Sequence, residues 1–341
     1  MSNNIILQNV PRVGFDIHMC PFPGSLYAYL QYTGDPQDYD YLMGVTGAAF
    51  RRFWNRDDGG NIDLSYLGDE PFRRIFAALG YAWRKVPAEK AAMIQALKAS
   101  LAQGRPAIAF GIIGPPEAGL VAGYAEDGAV LYGWSYFQDW PEFQQKRDTY
   151  YEKRNWFETM DTNAGKGLIL VGDKLSARPD PRAIFIGSLE WAIDLERATE
   201  RPGCPDHVAG LAAYDAWADA LEVDADYPAD NTEILGTRIM VHGDQCTMLY
   251  ERRHAAAYLR KMMAVAPEAA VPLTAAAALY DAASALGEKL WPWGYDMGPE
   301  AQQGLAVAAT RRELAGHIRA AGAKEAEAVE HLEAALTRLR R

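Results

Sequence analysis

Cysteine is scarce in this chain of 341 residues, which contains only Cys20, Cys204 and Cys246. Their number is odd and none of them belongs to a CxxC pair. Neither a disulfide framework nor a cysteine-bound zinc site is therefore expected. The sequence predicts no metal.

Long hydrophobic runs are also missing. The longest, residues 107–113 and 167–171, have the length of a buried strand and fall short of the roughly 20 apolar residues that span a bilayer. The first residues lack the basic segment and apolar core of a secretory signal. We therefore expect a cytoplasmic protein without a membrane segment.

Positive charge is in the minority, because 34 lysines and arginines stand against 45 aspartates and glutamates, for a formal net charge of −11. A surface that binds nucleic acid is normally basic, so nucleic acid is not expected as a partner. The P-loop, GxGxxG, HExxH and GxSxG motifs are all absent. The sequence predicts no cofactor.

The residues present are those of a folded globular protein, 49% hydrophobic and 11% aromatic. Helical periodicity, with a glycine just after each segment, predicts helices at 23–32, 71–79 and 88–102. Apolar runs predict strands at 106–112, 119–125, 129–134 and 167–172, the middle two joined as a hairpin by a Glu-Asp-Gly turn. The first half therefore has an α+β pattern with an antiparallel sheet.

The second half is rich in alanine and predicts helices at 186–199, 207–221, 247–265, 272–286 and 299–339, the last broken near Gly322. The sequence Pro179-Asp180-Pro181 is typical of a linker. We predict an α+β domain at 1–178, followed by a mostly α-helical domain at 179–341 that packs on the first.

Cys20 stands at the beginning of the first predicted helix, preceded by Asp16 and His18 and followed by Pro21. The positive end of a helix dipole favours the nucleophilic thiolate at this place. The alternative is a small buried hydrophobic residue, which is the commoner fate of a free cysteine.

The sequence predicts, in this order, a helix led by cysteine, further helices, an apolar strand and a hairpin containing Gly123-Tyr124. This order resembles the papain-like fold of C39-type cysteine peptidases. It is more closely similar to the N-terminal domain of the butirosin biosynthesis H family, whose members carry a His-Cys pair before the helix and transfer acyl groups from carrier proteins to amines. Here the pair is His18-Met19-Cys20, with one extra residue, and residues 41–50 resemble that family's glycine-rich segment. The resemblance covers residues 5–175 and implies that Cys20 is the nucleophile.

The catalytic histidine of C39-like sequences lies six residues before the Gly-Tyr pair, and Glu117 occupies that position here. A carboxylate is a poor substitute, because its negative charge disfavours a neighbouring thiolate, whereas imidazole accepts and returns a proton near neutral pH. Glu117 can hold a cationic ligand, act as an acid paired with the thiol, or be a structural carboxylate. His18 is the alternative base. Ordinary proteolysis is not expected.

Aromatic residues are concentrated at the end of the hairpin and just after it, between Tyr132 and Trp140. Most such residues belong to a core, but Trp134 ends a strand that leads from the expected cleft, where aromatic walls line small-molecule pockets. The candidate catalytic residues are Cys20, Glu117 and His18, and the candidate binding residues are Asp16, Tyr124 and Trp134.

Two functions follow from these residues. One is a cysteine-dependent acyl or amide transferase of small-molecule metabolism, with a small molecule or an acyl donor such as a carrier protein as its partner. The other is a non-catalytic ligand-binding protein that retains the cleft. A protein that dimerises through its alanine-rich helices is a third alternative.

Overall fold

The computed structural model describes residues 4–59, 63–160, 167–177, 179–294 and 298–341. The fold is α+β, with 56% of the residues in helices, a mostly antiparallel sheet and helices toward the C-terminus. By its contacts the chain divides into two compact units. Unit 1 comprises Met1–Leu42 and Phe72–Pro179, and unit 2 comprises Met43–Pro71 and Asp180–Arg341. Residues 43–71, which the predicted boundary assigned to the first domain, belong to unit 2 in this division.

The first half of the described chain contains five α-helices. They are α1 (Pro21–Tyr32), α2 (Tyr39–Thr46), α3 (Glu70–Leu79), α4 (Lys90–Ala102) and the short α5 (Trp156–Thr159). The glycines after α1, α3 and α4 all have a positive φ, between 69° and 80°, which ends a helix without the steric cost of a side chain. The three predicted helices are therefore confirmed within a few residues.

Seven strands of the described chain form the sheet of unit 1, in the order β3-β8-β4-β5-β6-β7, with β1 paired to β5. They are β1 (Ile5–Ile6), β3 (Tyr81–Val86), β4 (Ala107–Phe110), β5 (Ala118–Ala125), β6 (Val130–Trp134), β7 (Tyr151–Arg154) and β8 (Leu168–Lys174). The predicted hairpin is β5 and β6, in which Tyr124 lies opposite Leu131. β1, β3 and β7 were not predicted from the sequence.

The two faces of this sheet are covered by different helices. α4 covers one face with an apolar cluster that includes Leu97, Val121 and Leu168. α1 lies against β5, where the Ser25 hydroxyl donates to the Ala118 carbonyl at 3.3 Å. A register shift between Val121 and Gly123 interrupts the alternation of side chains along β5, so that Val121 and Tyr124 both belong to the cluster under α4.

Unit 2 is mainly helical. Its further elements are α6 (Pro181–Arg197), α7 (Ala212–Leu221), α8 (Thr232–Tyr250), α9 (Arg252–Met262), α10 (Ala270–Gly294), α11 (Pro299–Ala306), α12 (Ala308–Leu339) and a two-stranded ribbon of β2 (Phe53–Trp54) and β9 (Val208–Ala209). The break in the last predicted helix lies at Val307 rather than near Gly322. Gly322 lies within α12, where a Cβ would come within 2.9 Å of Tyr214, so the glycine allows close packing rather than ending the helix.

One apolar segment, Pro267–Trp293, is long and hydrophobic enough to cross a membrane by composition, with a mean hydropathy of 1.3. It contains most of α10, and 44% of its window is buried within the protein. A core helix meets the same criteria, so the segment is weak support for a membrane span.

A buried ion pair connects the helices of unit 2. Arg252 Nε on α9 lies 2.6 Å from Glu325 Oε1 on α12, and both side chains are enclosed. The Tyr214 hydroxyl also donates to Glu325. Arg252 further donates to the carbonyls of Ala49 at 3.0 Å and Arg51 at 2.9 Å. Three separate parts of unit 2 are thus joined by one guanidinium.

Replacing Glu325 with glutamine should destabilise unit 2 by about 3–5 kcal/mol, because Arg252 remains buried without a counter-charge. Glu333→Gln is the matched control on the same helix. Its pair with Arg197 is 2.9 Å long, but both side chains are 45% exposed, so the loss should stay below about 1 kcal/mol. Urea unfolding followed by circular dichroism measures both. Equal losses would contradict a dominant role for the buried pair.

Candidate functional site

Cys20 is the N-cap of α1, with extended backbone angles of φ −88° and ψ 114°, and the helix begins at Pro21. Proline suits the first helical position because its fixed φ is already helical and its missing N–H is not needed there. Cys20 is 0% exposed. Its backbone N–H donates a long hydrogen bond of 3.4 Å to the Tyr39 hydroxyl. The cysteine therefore has the predicted place at the positive end of a helix but is enclosed.

His18 lies in an aromatic cluster beside this helix end. Its ring is stacked on Tyr39, with centroids 3.8 Å apart and planes within 13°, and it meets the edge of Tyr27 at 4.7 Å. The same Tyr39 accepts the bond from Cys20, so one tyrosine contacts both predicted residues. His18 is also the only histidine among residues 1–206. Within unit 1 it is thus the only imidazole that can serve Cys20.

Gly24, on the first turn of α1, allows a close contact with the loop after β6. A Cβ at Gly24 would collide with the Tyr136 hydroxyl and come within 3.1 Å of the His18 Cβ. The Tyr136 ring is held by Phe15, with centroids 5.0 Å apart. Tyr136 thus covers the beginning of α1 next to His18.

Glu117 is buried, with 9% exposure, and immediately precedes β5. Its carbonyl accepts a hydrogen bond of 3.2 Å from Gly111, which closes the loop from β4 to β5. The next residue, Ala118, is the one whose carbonyl accepts from Ser25 of α1. The sheet therefore brings the Glu117 backbone to the first turns of the helix that Cys20 caps.

Asp16 lies on the surface, where it pairs with two arginines. Its Oδ2 lies 2.5 Å from Arg12 and 2.5 Å from Arg147, on the protein surface. Hydrogen bonds from Arg12 and then Arg147 outweigh partial burial and lower the pKa of Asp16 to about 2. Both arginines pair with this carboxylate, so that it connects the loop before α1 to the loop that contains Arg147.

Trp134 and Tyr124 also have structural contacts. The Trp134 indole N–H donates to the Val10 carbonyl at 2.8 Å, and its ring packs on Tyr150 at 4.9 Å. Tyr124 belongs to the apolar cluster under α4. Of the six predicted residues, Cys20 and His18 both contact Tyr39. The backbone beside Glu117 contacts the helix that Cys20 caps, whereas Tyr124 packs in the cluster under α4.

Gln138 was not singled out from the sequence, yet it organises the loop beside this cluster. It is 3% exposed, and its amide donates to the carbonyls of Lys146 at 2.7 Å and Thr149 at 3.0 Å. Its carbonyl accepts from the Ser135 N–H at 3.0 Å. An isolated glutamine in an aromatic segment gives no sequence signal for this role, because all its partners are backbone groups.

A separate cavity of about 220 Å³ lies between α4 and strands β3 and β8, and none of the six predicted residues lines it. Among the described residues, no three histidine, cysteine, aspartate or glutamate side chains are grouped to hold a metal ion. None of the three cysteines forms a disulfide, and all three are buried. Comparison with models of known protein families finds no match, and comparison with curated proteins finds none either.

Gly24→Ala should destabilise unit 1 by about 1–3 kcal/mol, because the new methyl group collides with Tyr136. The loss should shrink in a Tyr136→Phe background, which removes the hydroxyl oxygen. Gly316→Ala is the control, since a Cβ there meets nothing within 4 Å. It should stabilise α12 by about 0.5–1 kcal/mol. Thermal unfolding of the four variants distinguishes these effects, and stabilisation by Gly24→Ala would contradict the contact.

Proposed function

We propose that the chain is a papain-like protein, similar to the N-terminal domain of the butirosin biosynthesis H family, that binds a small molecule at the Cys20 end of α1 without peptidase chemistry. The observation that carries the proposal is the state of Cys20. Its thiol is enclosed and its backbone N–H is already bonded to Tyr39.

The order of elements supports the papain-like part of the proposal. A cysteine caps the first long helix of unit 1, two further helices follow, and an antiparallel sheet then presents the β5–β6 hairpin to α1. The likeness in sequence pattern runs through the same elements. The helical second half is compatible with the C-terminal region of that family.

Peptidase chemistry is disfavoured by two features. A cysteine peptidase needs an imidazole that receives the thiol proton, and the position where the family carries it holds Glu117. It also needs N–H donors that are free to stabilise the oxyanion, one of which is normally at the nucleophile itself. At Cys20 this N–H points at the Tyr39 hydroxyl.

The aromatic and acidic residues around Cys20 are suited to binding a ligand. His18, Tyr27 and Tyr39 offer ring faces and edges, and Glu117 supplies a carboxylate at the neighbouring strand. Aromatic rings and a carboxylate are groups that suit a small organic molecule, especially one with a cationic group. The ligand would enter where Tyr136 and the loop held by Gln138 cover α1.

A second candidate is a cysteine-dependent acyl or amide transferase, with an acyl donor such as a carrier protein as partner. It is favoured by His18, the only histidine of unit 1, which lies two residues from Cys20 and is held by Tyr39. In this mechanism His18 takes the proton of Cys20, the thiolate attacks the acyl carbon and forms a thioester, and the donor's leaving group departs with the proton from His18. An amine then attacks the thioester and gives a proton to His18, which returns it to Cys20 as the thiol leaves. Tyr39 would have to release the Cys20 N–H.

The rate of Cys20 alkylation by iodoacetamide as a function of pH separates the two functions. For a binding protein we expect labelling at least about 100-fold slower than that of a free thiol, comparable with Cys246, because both residues are 0% exposed. Peptide mapping assigns each label, and Cys246, whose pKa is raised by burial, is the internal reference. In urea all three cysteines should react.

Fast labelling of Cys20, with a midpoint well below the pKa of about 8.5 of a free thiol and lost in His18→Ala, would contradict the binding proposal and support the transferase. For the positive test, a library of small metabolites is screened by thermal shift. A ligand of the site should stabilise wild type and Cys20→Ser, but stabilise Glu117→Gln much less. A ligand that stabilises all three equally would not belong to this site.

A further inference from the structure

The cavity of about 220 Å³ between α4 and strands β3 and β8 owes its space to small residues. Ala82, Ala99 and Gly172 all line it, and larger side chains at these positions would fill it. A Cβ at Gly172 would come within 3.2 Å of Ala82, so the two strands approach each other closely here. β3 is also irregular at this point, since its register shifts between Tyr81 and Trp83.

Arg84 reaches the cavity from β3. It lies opposite Leu170 of β8, and opposite residues of an antiparallel pair have their side chains on the same face of the sheet. Leu170 belongs to the apolar cluster under α4, so Arg84 is on the α4 side as well. Within the described part of the chain, the Arg84 guanidinium has neither an ion pair nor a hydrogen bond. Its donors are thus available to a ligand.

Arg105 supplies a second guanidinium from the end of α4. The Ser100 hydroxyl donates to the Arg105 carbonyl at 2.9 Å, and the Arg105 N–H donates to the Ser100 carbonyl at 3.1 Å. The Arg105 side chain pairs with Asp173, which is itself 85% exposed. A guanidinium has five N–H donors, and one carboxylate occupies at most two of them. Donors of Arg105 therefore remain for a second acceptor.

The end of α4 also contributes an amide and a partial negative charge. Gln103, the first residue after α4, lines the cavity with an exposed side chain. The partial charge at a helix C-terminus opposes an anion, but it is only about half an elementary charge. The two charged residues that line the cavity are both arginines, in a chain with a formal net charge of −11. The lining is therefore locally positive.

We propose that this cavity binds a small carboxylate with an apolar tail. The carboxylate lies between Arg84 and Arg105, whose planar forks of donors match its two oxygens, and the tail lies on Leu170 and Ala99. A cavity of about 150 Å³ already takes up benzene, so this one has room for a tail of roughly four to six carbons. A cation would meet two positive charges, and an uncharged ligand would leave both guanidiniums unused.

The test uses the full chain, hexanoate as probe and hexanamide as the uncharged control of nearly the same shape. Methyl signals of Ala82 and Ala99 are followed by ¹H–¹³C NMR and assigned by single Ala→Ser variants. The ionic strength is held constant, because exposed charges are screened by salt. We expect both signals to shift saturably with hexanoate, and hexanamide to bind at least about tenfold more weakly. Equal affinity for hexanamide would overturn the proposal.

Arg84→Gln removes one of the two charges and should weaken hexanoate binding by about tenfold or more. Lys153→Gln is the matched control, because it removes one positive charge from β7, at the other edge of the sheet. Lys153 lies opposite Leu131 there, as Arg84 lies opposite Leu170. The control should bind hexanoate like wild type. Equal weakening by both variants would show a general effect of charge and overturn the site.

Ala99→Leu tests the cavity without changing any charge. Ala99 is exposed on α4 and leucine is a good helix former, so thermal unfolding should stay close to that of wild type. The larger side chain fills the space for the tail, and the hexanoate-induced shift of the Ala82 signal should disappear. Unchanged binding in this variant would contradict a ligand in the cavity.

The length of the tail gives an independent measurement. Each buried CH₂ group should strengthen binding by about fourfold, so affinity should rise from acetate through butyrate to hexanoate. The rise should end when the tail exceeds the cavity. Equal affinity for acetate and hexanoate would overturn the apolar part of the site and leave only an adventitious anion at the arginines.

Discussion

The buried contact between Arg252 and Glu325 is the interaction on which unit 2 depends. A guanidinium has five N–H donors in a fixed plane, and at Arg252 they reach Glu325 on α12, Met248 on the preceding helix and the carbonyls of residues 49–51. Nearby, Glu196 has its pKa raised well above its ordinary value by burial and by the charge of Glu325, and it accepts from Tyr280 at 2.5 Å. Such a network tolerates few arrangements of the helices, because each unmet polar group is costly.

In unit 1 the corresponding constraint is the approach of α1 to its surroundings at Gly24. Only glycine permits the Tyr136 hydroxyl to lie against the first turn of this helix. The contact, together with the stack of His18 on Tyr39, determines how much of the Cys20 region is accessible. Packing therefore encloses Cys20 at the beginning of α1.

The local elements of the fold could be predicted from sequence because their signals are local. Glycines end α1, α3 and α4, and a Glu-Asp-Gly turn joins β5 to β6. α8 was only partly predicted, since its polar residues His242 and Gln245 interrupt the apolar pattern. Their partners are Trp217, whose N–H donates to His242 at 3.0 Å, and Arg52, which donates to Gln245 at 3.0 Å. Such pairs come from distant segments, so no local pattern reveals them.

The sequence by itself determined that Cys20 begins a helix, that His18 is the only nearby imidazole and that Glu117 precedes the hairpin. These facts depend on residue order and on the short-range rules of helix and turn formation. Only the tertiary structure decided that Cys20 is enclosed, that Tyr39 contacts both it and His18, and that Arg84 and Arg105 line one cavity. Burial and pairing of this kind arise when segments far apart in the chain exclude water together, which the order of residues does not specify.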